Sequence, residues 1–143
     1  MIKTFRSVSL DQFYPIYEYI FIKNKHKIIL FNGEIGVGKT TFIRYLINKF
    51  QKLYRLETTE VTSPTFNLLN EYQINELKIN HYDLFRLKSA EEIRNLDLFE
   101  ENKNIITLVE WPQMIKEKPK NLIELVFEYE KNHKTRSVQI KGL

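Results

Sequence analysis

The chain has 143 residues, 43% of them hydrophobic and 28% charged, which fits a single globular domain with a core of its own. Twenty-two basic against 18 acidic residues leave a net charge of +4, too thin a footprint for a dedicated nucleic-acid binder, so direct nucleic-acid binding is expected to be weak. The absence of cysteine excludes disulfides, thiolate zinc sites, iron–sulfur clusters and a cysteine nucleophile. No apolar run approaches the length of a membrane span, and the first residues lack the apolar core of a signal peptide. A cytoplasmic protein with no membrane association is therefore expected.

Residues 2–5 predict a short strand. Ser9-Leu10-Asp11-Gln12 has the form of a capping box, Ser at the cap and Gln three on, and predicts a helix reaching about Lys23. Pro15 conflicts with that reading, so the helix either kinks there or starts later. Phe13, Tyr14, Tyr17, Ile20 and Phe21 recur at helical spacing and read as a core-facing stripe. Residues 27–31 predict a buried strand, and residues 40–50 a helix with Phe42, Leu46, Ile47 and Phe50 on its apolar face. Residues 68–72 and 78–84 flank Asn75-Glu76 and predict a hairpin. Ser89-Ala90-Glu91-Glu92 is a second capping box, opening a short helix. Residues 105–109 are an unbroken apolar run, as in a buried parallel strand. Residues 121–129 and 135–140 predict an antiparallel pair at or near a sheet edge. The alternation of strands and helices gives an α/β fold: a largely parallel central sheet flanked by helices, with antiparallel strands at the edge.

Between the second strand and the second helix lies Gly33-Glu34-Ile35-Gly36-Val37-Gly38-Lys39-Thr40, which fits G-x-x-x-x-G-K-[ST]. The glycines let successive backbone N–H groups face inward as a nest for phosphate oxygens. Lys39 supplies a point charge for the β- and γ-phosphates, and Thr40 a hydroxyl for Mg²⁺. In an empty loop Lys39 is expected to be exposed. A P-loop also needs a carboxylate at the end of a neighbouring strand. Glu110 ends the run 105–109, and Asp83 ends the strand containing His81. No Asn-Lys-x-Asp occurs, so adenine is preferred over guanine as the base. Ser63 and Thr65 lie in a hydroxyl-rich loop able to sense a γ-phosphate, as switch segments do. His26, His81 and His133 have no metal-ligand spacing.

Four segments in order carry a resemblance: the P-loop, Ser63-Pro64-Thr65-Phe66, His81-Tyr82-Asp83-Leu84-Phe85-Arg86-Leu87 and Val109-Glu110-Trp111-Pro112. Together they resemble the TsaE (YjeE) family, the small bacterial P-loop ATPases of tRNA threonylcarbamoyladenosine (t6A) biosynthesis. The resemblance implies one P-loop ATPase domain over residues 1–143, binding ATP and Mg²⁺ and hydrolysing slowly alone. It implies TsaB and TsaD as partners, with tRNA met only through their complex. That complex modifies adenosine 37 of tRNAs reading codons that begin with A, and the family member resets it. By the resemblance Lys39, Asp83 and Glu110 are the catalytic set. Residues 33–40 with Thr41 hold ATP, with Ser9, Asp11 and Arg136 as further candidate contacts. Thr40 and Glu110 hold Mg²⁺, with Asp83 a further candidate, and Trp111 matches the family's tryptophan. Phe85 stands where the family usually has Tyr, and Glu34 where Asp is common. Two other readings stay open: a small-molecule P-loop kinase, and a nucleotide-dependent binding module without turnover. Against the kinase, Arg44, Arg55, Arg86 and Arg94 are scattered and no lid-sized insertion is evident.

Overall fold

A computed structural model describes residues 2–99 and 104–142. Its seven strands form one sheet: β1 (Ile2–Val8), β2 (Ile28–Asn32), β3 (Leu69–Ile74), β4 (Leu77–Asp83), β5 (Ile105–Glu110), β6 (Leu122–Tyr129) and β7 (Arg136–Lys141). The order across the sheet is β1-β7-β6-β2-β5-β4-β3. The middle pairs, β6 with β2, β2 with β5 and β5 with β4, are parallel. The outer pairs, β1 with β7, β7 with β6 and β4 with β3, are antiparallel. The sheet is thus mixed, with a parallel centre and an antiparallel pairing at each side.

The helices are α1 (Tyr14–Tyr17), continued as a π-helix over Glu18–Lys23, α2 (Lys39–Leu53) and α3 (Ala90–Arg94). The first capping box does not open a helix. Gln12 donates its backbone N–H to the Ser9 carbonyl in a turn, and the helix starts at Tyr14 with Pro15 in its first turn, where a missing N–H costs nothing. The second capping box does form, Ser89 Oγ accepting from the Glu92 N–H at 3.3 Å.

The central strands are buried on both faces because apolar residues occupy both phases of their pleat. On β2, Ile29 and Phe31 join a core shared with Phe13, Ile16, Tyr17 and Ile20 of the first helical segment and Phe42, Leu46 and Ile47 of α2. Ile28 and Leu30 face the opposite core, with Ile93, Leu98 and Ile115. Tyr14 departs from the expected stripe and is exposed. Phe50 is half-buried and packs edge-on against Tyr17 and Phe21. These two layers fix β2, β4 and β5 side by side, so their C-terminal ends open at one edge, beside the start of α2. Among the described residues no helix is long and apolar enough to cross a membrane.

Candidate active site

The chain leaves β2 at Asn32 and turns through the glycine loop before α2 begins at Lys39. Gly33 has φ of 147°. A Cβ there would lie 2.7 Å from the Phe127 carbonyl oxygen and 2.9 Å from Val37 Cγ1, so the loop seats against β6 only with glycine. Gly38, with φ of 120°, packs beside Leu10 and the Arg136 side chain. The loop is also held at Gly36, whose carbonyl accepts from the Tyr129 hydroxyl at 2.6 Å.

A cleft of about 330 Å³ lies over this loop and over the ends of β4 and β5. Lys39, Thr40 and Thr41 line it from α2, Ser63 and Thr65 from the loop between α2 and β3, and Asp83 and Glu110 from the strand ends. A larger hollow, about 660 Å³, lies between α3 and Ile115, but it gathers neither the glycine loop nor the strand-end carboxylates, and the chemistry points to the smaller cleft.

Asp83 and Glu110 are register partners on β4 and β5, so the two carboxylates leave the sheet side by side. Both are buried, at 3% exposure each. A carboxylate there needs hydrogen-bond donors, and each has them. Glu110 Oε1 accepts from Thr40 Oγ1 at 3.0 Å, and Glu110 Oε2 lies 2.7 Å from His81 Nε2. Asp83 Oδ2 accepts from Ser63 Oγ at 2.8 Å and Thr65 Oγ1 at 3.0 Å, while Oδ1 accepts from the Phe85 N–H at 2.9 Å. Asp83 therefore ties the hydroxyl-rich loop to the end of β4.

Lys39 is not exposed in this loop, against the sequence expectation: it is 4% exposed. Its ammonium donates to the Gly33 carbonyl and lies 3.8 Å from the centre of the Trp111 ring, which closes over it. Burial pushes the Lys39 pKa down, and the Glu110 and Asp83 carboxylates partly restore it. Trp111 has φ of 58°, a left-handed conformation that bulky residues rarely adopt, and its ring also packs on Phe85 at 5.0 Å.

The other sequence candidates are distributed unevenly. Ile35, Gly36 and Gly38 line the cleft with Lys39, whereas Gly33, Glu34 and Val37 form the rest of the loop. Ser9 and Asp11 hydrogen-bond each other at 2.5 Å and lie outside the cleft lining. Arg136 is buried beside Gly38, its Nη1 donating to the carbonyls of Val8 and Lys134 at 3.0 and 3.3 Å. Sequence reading missed the contacts of His81, Trp111 and Tyr129. One signal was available: His81 and Asp83 are two apart on a strand, so they share a face.

The donor set suits a magnesium ion carried in on phosphates. Thr40 donates its proton to Glu110, which leaves its lone pairs able to face a cation, and the Glu110 carboxylate stands next to it. Among the described residues there is no cluster of three or more His, Asp or Glu that would hold a metal by protein ligands alone. Magnesium usually takes only one or two such groups, with substrate oxygens and water completing its shell.

The family model described as "Threonylcarbamoyl adenosine biosynthesis protein TsaE" matches residues 15–138. A Rickettsia bellii protein named tRNA threonylcarbamoyladenosine biosynthesis protein TsaE is 46% identical over 101 residues, covering 70% of this chain and 67% of the relative. Its namesake from Rickettsia felis is 46% identical over 89 residues, 62% of this chain and 50% of that protein. One from Nostoc is 35% identical over 107 residues, 71% of this chain and 62% of the relative. The matched part thus spans from half to two thirds of these relatives. The fold is similar to a crystal structure of Bacillus subtilis YdiB, with a TM-score of 0.67 at 20% identity over 98% of this chain and 84% of that one.

Proposed function

This chain belongs to the TsaE family, and from that premise we propose that it binds ATP with Mg²⁺ and hydrolyses it in the service of t6A formation on tRNA. The observation that carries the proposal is the Thr40–Glu110 hydrogen bond, which joins the end of the glycine loop to a strand-end carboxylate. A binding loop alone needs no such partner, whereas phosphoryl chemistry does.

The roles follow from the geometry. The N–H groups of the loop and of the first turn of α2 bind the phosphates. Lys39 leaves the Gly33 carbonyl and turns its ammonium to the β- and γ-oxygens. Glu110 orients Thr40 by accepting its proton. Magnesium, when bound, neutralises charge on the terminal phosphates and orients them. Asp83 holds Ser63 and Thr65, so the loop they occupy stands beside the place where the γ-phosphate ends, and a water can be oriented there. No arginine lines the cleft among the described residues. Charge that builds up as the phosphoryl group leaves is then only partly countered in the isolated chain, and a slow basal rate follows. A partner that supplies or arranges a further cation would raise it. We assign this partner to the TsaB–TsaD complex, with hydrolysis resetting it between rounds of tRNA modification.

The test measures phosphate release with Mg²⁺-ATP, alone and with TsaB and TsaD, together with t6A content of the tRNA. Slow release alone, stimulation by the complex and sustained tRNA modification are expected. Transfer of the γ-phosphate to a small acceptor would favour a kinase. Binding without turnover, even with the complex present, would reduce the chain to a nucleotide-dependent module.

A further inference from the structure

We propose that His81 is a positioning residue, whose Nε2–H holds the Glu110 carboxylate in the orientation that gives Oε1 to Thr40 and leaves this pair facing the metal. This rests on the proposed Mg²⁺-ATP reading above and adds a residue to it.

Glu110 has two carboxylate oxygens and, in a site this dry, two tasks. Oε1 serves Thr40. Oε2 points back along the sheet, where His81 Nε2 meets it at 2.7 Å, with the imidazole wholly buried and the carboxylate 3% exposed. Without that contact, rotation about the last side-chain bond of Glu110 would exchange the two oxygens or turn both from Thr40. A terminal carboxylate torsion is broad and does not fix itself. His81 is itself fixed. It sits on β4 opposite Leu108, between the edge strand β3 and β5. The proton is assigned to Nε2 from its neighbours: a carboxylate oxygen faces Nε2, whereas Nδ1 is buried and has no hydrogen-bond partner among the described residues. A bare nitrogen lone pair is the less costly group to leave there.

The two-residue step of the strand gives the motif its logic. His81 and Asp83 lie on one face of β4. Asp83, at the strand end, holds the Ser63–Thr65 loop. His81, two residues deeper, anchors the carboxylate of the adjacent strand. One strand thereby sets both the loop and the seat of the ion. Partners standing behind a ligand in this way commonly change metal affinity 10- to 100-fold when removed.

The test uses H81L, which keeps apolar bulk and loses the donor, and H81Q, whose side-chain amide N–H reaches about where Nε2 lies. Nucleotide affinity is titrated with and without Mg²⁺, and melting curves establish folding. H81L is expected to need about tenfold more Mg²⁺ for half-maximal affinity, with metal-free affinity unchanged, and H81Q to return to within about threefold of the parent. In an E110A background H81L should add nothing. Should H81L fail to fold, H81N replaces it, since its amide is one methylene too short to reach Glu110. The proposal is overturned if the donor-less variant keeps the parent's Mg²⁺ dependence, if H81Q is as impaired as that variant, or if the effect persists undiminished in E110A. If E110A itself leaves the Mg²⁺ dependence unaltered, the metal reading fails first and His81 loses its role with it.

Discussion

Lys39 carries a charge into a place where burial disfavours it. Four groups offset the cost: the Gly33 carbonyl, the Trp111 ring and the carboxylates of Glu110 and Asp83. A desolvated cation–π contact contributes about 2 kcal/mol and a hydrogen bond about 1 kcal/mol, both opposing the burial penalty. Lys39→Met should therefore alter the stability of the nucleotide-free protein by no more than about 1 kcal/mol in denaturant melts. It should also abolish the nucleotide-induced rise in melting temperature. The pH dependence has a definite sign. The native Lys39 pKa lies below its unfolded value of 10.5, so the unfolded chain binds more protons between the two. The parent should gain stability relative to Lys39→Met as pH rises through that window, and a difference that falls with pH would contradict the burial account. Trp111 offers an optical check. It is the chain's single tryptophan, so its emission should change when phosphates draw the ammonium from its ring, and stay constant in Lys39→Met.

At the scale of elements, the cleft depends on how a loop and two strand ends are pinned. The glycine loop backs onto β6 so closely that Gly33→Ala must displace either the Phe127 backbone or the loop. We expect a loss of about 1–3 kcal/mol, together with weaker nucleotide binding, measured by denaturant unfolding and titration. Asp83 joins β4 to the loop containing Ser63 and Thr65. Asp83→Asn presents an amide where an oxygen now accepts two hydroxyls, so hydrogen exchange should quicken at Leu68, whose N–H is bonded to the Pro64 carbonyl within that segment. Nucleotide affinity should stay within about tenfold, about 1.4 kcal/mol, while hydrolysis is lost. These elements were unequally legible in the sequence. The apolar runs of β2 and β5, the β3–β4 hairpin and the glycine loop could be read because local composition determines each. The Ser9 capping box misled, because Pro15 allows a helix to begin just before it but not to run through it. The contacts of Trp111 with Lys39, Tyr129 with Gly36 and His81 with Glu110 span 72, 93 and 29 residues, and the last is fixed by strand register, which no local pattern records.

For the molecule as a whole, a ligand that binds only the folded state raises its stability. At 100 times the dissociation constant the gain is about 2.7 kcal/mol, or roughly 5–10 °C for a chain of this size. Mg²⁺-ATP should produce a shift of that order in a thermal melt, and no shift would remove the nucleotide assignment. The side-by-side register of Asp83 and Glu110 has a wider consequence. One carboxylate grips the surface loop and the other grips the base of α2, so the two ends of neighbouring strands form a mechanical linkage. A partner that clamps the Ser63–Thr65 loop from outside is then expected to work on the same equilibrium as a bound nucleotide. Thermodynamic reciprocity fixes the terms: a partner that tightens nucleotide binding by some factor must itself be held more tightly, by that same factor, when nucleotide is present.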